Sequence, residues 1–150
     1  VNGQEVGSEK YDYKLRWLDA VHGWLADEIR RYPELVVLGD FNIAPDDRDV
    51  HDPKVWNDDS ILTSTAERTA LKRLLALGLH DSFRLHNEEA GQFSWWDYRA
   101  AGFRRNLGLR IDLVLVSDAL KPRSVASVID REPRTWDRPS DHAPVWVELG

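Results

Sequence analysis

The chain has 150 residues and a net charge of −6, with 42% hydrophobic and 31% charged residues. That length and balance describe one soluble globular domain and exclude disordered and membrane-spanning helical classes. There are no cysteines, so disulfides and thiolate metal sites are ruled out, and the acidic balance argues against bulk electrostatic coating of nucleic acid while leaving room for a local basic patch.

No signal peptide is visible, in keeping with a cytoplasmic protein. The sequence opens at Val1 without methionine, and Val1-Asn2-Gly3 reads as loop, so a piece of a longer protein is expected. Ser8 to Arg31 is predicted to be an amphipathic helix. Tyr11, Leu15, Leu18, Val21, Leu25 and Ile29 recur at three- and four-residue steps, Ser8 caps it and Pro33 stops it. Trp17 and Trp24 read as packing residues.

Leu35 to Gly39 is a short apolar run expected to form a fully buried strand. Asp40 and Asn42 follow its end, two apart, and would project to one side of the sheet. Such a pair suits a hard cation or a phosphate, and it also suits ordinary turn chemistry. Ala44 to Ser60 is polar, rich in Asp and Asn, and reads as loop. Within it Asp47, Asp49, His51 and Asp52 are compatible with a metal cluster, though a solvated face with Asx turns is the expectation.

Ser64 and Glu67 have capping-box spacing and open a second helix through Leu77, with Leu71, Leu74 and Leu75 inward and Gly78 as the stop. Leu79 to Arg84 reads as a short extended piece, Phe93 to Tyr98 as an aromatic strand, and Arg99 to Gly108 as loop. Arg110 to Ser117 is a strand with Ile111, Leu113 and Leu115 on one face and Asp112, Val114 and Val116 on the other. Arg123 to Ile129 and Ala143 to Leu149 are further strands, joined by a charged loop from Asp130 to Pro139. Two helices and about five strands in mixed order indicate an α/β layered sandwich.

Asp112 is a carboxylate inside an apolar strand, where burial is costly without a partner. It reads either as a sheet-edge aspartate with a local donor or as a functional group. The Asp141-His142 pair before the last strand likewise reads as a cap with a core histidine or as part of a site. Taken together, Asp112 would accept a hydrogen bond from one ring nitrogen of His142, raise its basicity and fix its tautomer, leaving the other nitrogen for substrate. Asp40, Asn42 and Asp141 offer oxygen ligands suited to magnesium rather than zinc. No serine or cysteine is placed as an activated nucleophile, which points to attack by water on a phosphate ester. Between Phe93 and Arg110, large aromatics interleave with Arg99, Arg104, Arg105 and Arg110. Arginines neutralise phosphates and aromatics stack on bases, although Trp96 reads as core.

Gly39-Asp40-Phe41-Asn42, Gly108-Leu109-Arg110-Ile111-Asp112 and Ser140-Asp141-His142-Ala143-Pro144-Val145 resemble the exonuclease/endonuclease/phosphatase superfamily. Phe93 to Arg99 followed by Asn106 to Asp112 resembles its exonuclease III branch, the abasic-site endonucleases. The likeness covers essentially the whole chain. It implies the DNase I-like four-layer αββα sandwich, of which this chain would be the C-terminal half, one mixed sheet with its outer helices. It also implies a DNA repair nuclease with 3′-5′ exonuclease and abasic-site activity, using magnesium or alternatively manganese.

Carried over by position, the resemblance implies that Asp40 takes the attacking water's proton, with Asn42 assisting. His142 would contact the scissile phosphate, Asp112 would orient His142, and Asp141 would lie near the metal. Asp40, Asn42, Asp141 and His142 are thus the metal-side residues. Trp95 and Leu109 would line a pocket for a base-free sugar, and Asn2 would touch phosphate. Arg104, Arg105, Asn106 and Arg110 complete the expected DNA-binding set.

The family's metal-binding glutamate, a second asparagine and a tyrosine upstream of Asn2 are not in this sequence. The resemblance therefore implies a missing N-terminal half as partner, a nearly inactive 150-residue piece, and self-association through an exposed sheet face. A small-molecule or lipid phosphodiesterase or phosphatase, and a non-catalytic DNA-binding remnant, are the alternatives.

Overall fold

The first helix forms where its cap and stripe place it. A computed structural model describes residues 1–150, and in it α1 runs Glu9–Arg31 with Ser8 as N-cap, its hydroxyl accepting the Tyr11 amide. Tyr11, Leu18 and Leu25 are buried, and Lys14 is buried on the same line. Trp17 and Trp24 do not pack as expected: they are 39% and 60% exposed. Seven residues apart, they share a line, but at 3.6 residues per turn that line lies roughly 100° from the buried one.

Strand β1 (Val36–Asp40) follows, and β2 (Leu79–Asp81) and β5 (Asp112–Ser117) complete a three-stranded sheet in the order β1-β5-β2. Both pairings are antiparallel, and in the β1–β5 register Asp40 lies directly opposite Asp112 and Leu38 opposite Val114. Helix α2 (Thr65–Leu75) begins in the expected Ser64–Glu67 capping box. α1 and α2 cover one face of the sheet. Leu18, Leu25, Leu71, Leu74, Leu79, Leu113 and Leu115 form the core between them, each contributing about 1.5–3 kcal/mol by burial.

β1 is not the fully buried strand that its apolar run predicts. It is the edge of the sheet, and Leu38, on the face turned away from the helices, is 66% exposed. An apolar run records that both faces are greasy, not that both are covered. Gly39 adopts φ +146°, a backbone setting that side chains rarely take, just before the chain delivers Asp40.

The extended piece expected over Leu79 to Arg84 divides into β2 and a short helix, α3 (Ser82–His86). The aromatic strand is reduced to β3 (Trp95–Trp96), which pairs with β4 (Gly108–Leu109). Their approach is close: a Cβ on Gly108 would meet Trp96 Nε1 at 2.5 Å and the Trp95 carbonyl at 2.7 Å. β6 (Ser124–Ile129) and β7 (Val145–Leu149) form a separate antiparallel pair. The architecture is thus a mixed α/β one, with seven strands and three α-helices. No helix is long and apolar enough to cross a membrane.

Candidate active site

Three remote segments meet at one end of the β1–β5 ladder. Asp40 ends β1 and Asp112 opens β5, and because they are register partners their side chains leave the same face. His142 arrives from the segment before β7, held beside Trp95 by an isolated antiparallel bridge. Asp40, Asp112 and His142 each offer a ligand atom within 4.8 Å of the others.

His142 Nδ1 lies 2.8 Å from Asp112 Oδ2 and its Nε2 lies 3.9 Å from Asp40 Oδ2. A carboxylate only accepts, so Nδ1 carries the proton and Nε2 faces outward toward Asp40. The hydrogen bond to Asp112 raises the imidazole pKa above its ordinary value; burial opposes this, and the charges of Asp112, Asp40 and Asp141 reinforce it. The Asp40 carboxyl is also pushed up, chiefly by burial and further by the Asp112 charge, although the Asn42 amide and His142 pull it down. A carboxylate of raised pKa is a stronger base than an ordinary one.

Asn42 sits at φ +50°, a left-handed setting that asparagine tolerates, and its backbone N–H donates to Asp40 Oδ1 at 2.9 Å. Beneath it lies buried Lys14. Its ammonium donates to the Asn42 carbonyl at 2.6 Å, to the Asn2 carbonyl at 3.5 Å and to the Glu67 carboxylate. The Asn2 carbonyl thus shares the lysine that supports Asn42, while the Asn2 side-chain oxygen accepts the Gln4 amide at 3.3 Å. Burial lowers the Lys14 pKa, and the bond to Glu67 counters it. Sequence reasoning passed over Lys14, although its place three residues after Tyr11 and four before Leu18 puts it on the buried line.

Ser94, fully buried, ties the converging segments together. Its hydroxyl accepts the Ile111 and Asp112 amides at 3.0 and 3.1 Å, while its carbonyl accepts the Ala143 amide at 2.7 Å. Asp141 stands at the rim, where its Oδ2 accepts the Trp95 indole N–H at 3.0 Å. Trp95 and Leu109 are register partners and line a cavity of about 430 Å³ together with His51, Trp56 and Leu107.

Two members of the expected DNA-binding set, Asn106 and Arg110, are placed otherwise than their sequence context suggests. Arg104 and Arg105 are exposed. Asn106 braces the protein: its carboxamide oxygen accepts the Trp96 indole N–H at 3.0 Å and its amide donates to Gly91 O at 3.2 Å. Arg110 is a correction. It is 1% exposed, bonded to Asp49 at 2.6 Å and bidentate to Asp81 at 3.0 and 2.6 Å, so its guanidinium is not offered to a phosphate. Burial works against the charge, yet Asp81 and Asp49 more than offset it and raise its pKa. The solvated reading of Asp49 fails with it, because Asp49 is fully buried between Arg84 and Arg110.

Two carboxylates and an imidazole crowded at a sheet edge fit a divalent cation that prefers oxygen and keeps some of its waters. Fold and site together define a mixed α/β protein with a carboxylate–histidine centre beside an aromatic cavity. Residues 3–142 match the endonuclease/exonuclease/phosphatase family, and the chain belongs to that family. It is 38% identical over 146 residues to exodeoxyribonuclease III of Haemophilus influenzae, covering 93% of this chain and 55% of that protein. To the Bacillus subtilis exodeoxyribonuclease it is 35% identical over 140 residues, covering 93% of this chain and 53% of the other.

Among solved structures, a Neisseria 3′ phosphatase, NExo, bound to product DNA hairpin superposes with a TM-score of 0.97 at 45% identity, over 100% of this chain and 58% of that one. An AP endonuclease from Archaeoglobus fulgidus gives 0.92 at 35% identity, over 99% and 58%. The chain has the DNase I-like fold of these neighbours and spans somewhat over half the length of the relatives it matches.

Proposed function

We propose that the whole protein is a DNA repair nuclease of the exonuclease III type, hydrolysing phosphodiester bonds at 3′ ends and abasic sites of duplex DNA. The convergence of Asp40, Asp112 and His142, with Asp112 on the Nδ1 side of the imidazole, carries this reading. Its relatives' names as exodeoxyribonucleases and AP endonucleases favour DNA over a lipid or small-molecule phosphoester.

Asp40, with its raised pKa, takes the proton of the attacking water, and the Asn42 amide holds the carboxylate that does so. His142, whose cationic form Asp112 favours, directs Nε2–H at a non-bridging phosphate oxygen and stabilises the charge that develops there. Trp95 and Leu109 accept the base-free sugar in the aromatic cavity. Asp40, Asn42 and Asp141 are the residues that would hold magnesium or manganese; His142, expected beside them from the resemblance, has no free ring nitrogen for the ion while it donates from both. When bound, the ion supplies Lewis-acid polarisation of the phosphate. The isolated 150-residue chain is expected to nick little DNA, since its relatives are nearly twice as long.

The test is nicking of a duplex with one abasic site by the whole protein, with and without magnesium. D40N and H142N should each lose activity by about 10²-fold or more. Activity that survives both substitutions, or that prefers a lipid phosphodiester to abasic DNA, rejects the proposal.

A further inference from the structure

Three consecutive carbonyls lead into the Asp141-His142 pair, and each is held by a different donor. The Tyr98 hydroxyl donates to Pro139 O at 2.7 Å, an Nη1–H of Arg134 donates to Ser140 O at 2.6 Å, and the Trp96 amide donates to Asp141 O at 3.0 Å. Two of these donors come from the aromatic segment. The third, Arg134, comes from the 3₁₀ turn Glu132–Thr135 in the charged loop.

Arg134 is 6% exposed, and no carboxylate pairs with it within ion-pair distance. Its guanidinium carbon instead lies 4.8 Å from the centre of the Phe103 ring, 5.6 Å from Tyr98 and 5.7 Å from Trp96. A cation held among ring faces is stabilised by their quadrupoles, and the planar fork stacks where an ammonium would not. Its Nε is buried without a partner, so the hydrogen bond to Ser140 O is what orients the group. A buried charge is costly, and this one is directed at the residue preceding Asp141 and His142.

We propose that Arg134 is a positioning residue of the active site: its guanidinium, seated among Phe103, Tyr98 and Trp96, fixes the Ser140 carbonyl and so sets Asp141 and His142 opposite Asp40 and Asp112. The role rests on the site reading above, but its test does not require catalysis. Two NMR signals of the 150-residue chain report the segment directly: the Trp95 indole N–H bonded to Asp141, and the Trp96 backbone N–H bonded to Asp141 O. The Ile111 and Asp112 amides, bonded to Ser94, report the other half of the site.

In R134Q the Trp95 indole proton should move upfield and the Trp96 amide should exchange roughly tenfold faster, while the Ile111 and Asp112 amides keep their positions. R134K keeps charge and length without the planar fork, and should show the same changes. Guanidinium ion added to R134A should refill the slot and reverse them. Unchanged Trp95 and Trp96 signals in R134Q, wild-type signals in R134K, or movement of all four reporters together overturns the proposal. If R134Q does not fold, R134K decides. A whole protein that cleaved no DNA would reject the proposed function and leave this result standing.

Discussion

Asp112 Oδ2 accepts a hydrogen bond from His142 Nδ1–H at 2.8 Å, and this one contact links a strand end to a loop thirty residues further along the chain. It holds the imidazole with Nε2 outward and favours the cationic form, which the proposed donation to a phosphate oxygen requires. In D112N the amide can donate to Nδ1, which reverses the tautomer and removes the charge that raised the pKa. Cleavage of abasic duplex by the whole protein should fall by about 10²–10⁴-fold, least severely on the acid side of neutrality. The pH profile of kcat checks this, and a D112N rate within twofold of wild type would contradict it.

The same contact gives the metal-free chain a pH-dependent stability. The folded-state pKa of His142 is raised, so the folded state binds that proton more tightly than the unfolded one. The stabilisation is fully present below the ordinary histidine value, near 6.5, and is lost as pH rises through the folded value. The raised Asp40 pKa acts with the same sign in the carboxylate range. Urea midpoints in EDTA should decline from pH 6 toward pH 8.5 in wild type and stay flatter in H142Q. Parallel slopes would refute the linkage.

Ser94 holds two amides with one hydroxyl, and no other protein group accepts from Ile111 or Asp112 in its place. S94A should cost about 1–3 kcal/mol, the range for a buried donor left unmade. Because those amides open β5, the loss should show as faster exchange at residues 111 and 112 rather than throughout the sheet. Denaturant unfolding with site-resolved exchange separates the local loss from a general one.

Lys14 and Glu67 form a buried ion pair whose lysine also supports the carbonyl of Asn42. K14M leaves Glu67 with its Ser64 and Leu62 donors but without its counter-charge. A loss of about 3–5 kcal/mol is expected. Adding E67Q to K14M should recover part of it, because the two residues are in direct contact and their effects do not add. A double-mutant cycle in urea measures this, and simple additivity would count against the coupling.

Much of the site was legible because its members are marked locally. Asp40 and Asn42 end an apolar run, Asp112 interrupts a second one, and His142 precedes a third, so each stands out against its immediate neighbours. The supports were hidden because their partners are far away. Arg110 looks like a phosphate ligand among arginines and aromatics until it meets Asp49 and Asp81, 61 and 29 residues distant. Asp49 sits in a run of acidic loop residues, and nothing in that run says which one is buried. Ser94 and Arg134 act through carbonyls and amides, which carry no sequence signature. The exposure of Leu38 depended on sheet order, since an edge strand and a central one can share a composition.

That exposure has a consequence for the isolated chain. Leu38 lies on the sheet face turned away from α1 and α2, on an edge strand whose outer backbone groups are unpaired, while Val125 and Trp146 are exposed on the β6–β7 pair. Apolar surface at an open strand edge favours pairing with another chain. The 150-residue protein is therefore expected to self-associate as its concentration rises. L38E places a charge at that edge, on the face it shares with Asp40 two residues on, so it should shift light-scattering mass toward the monomer with only a small drop in urea midpoint from repulsion between the carboxylates. Surface changes of this kind usually alter stability by about 0.5 kcal/mol or less. A wild-type chain that stays monomeric at high concentration, or an L38E chain that associates equally, would show that this edge is not sticky.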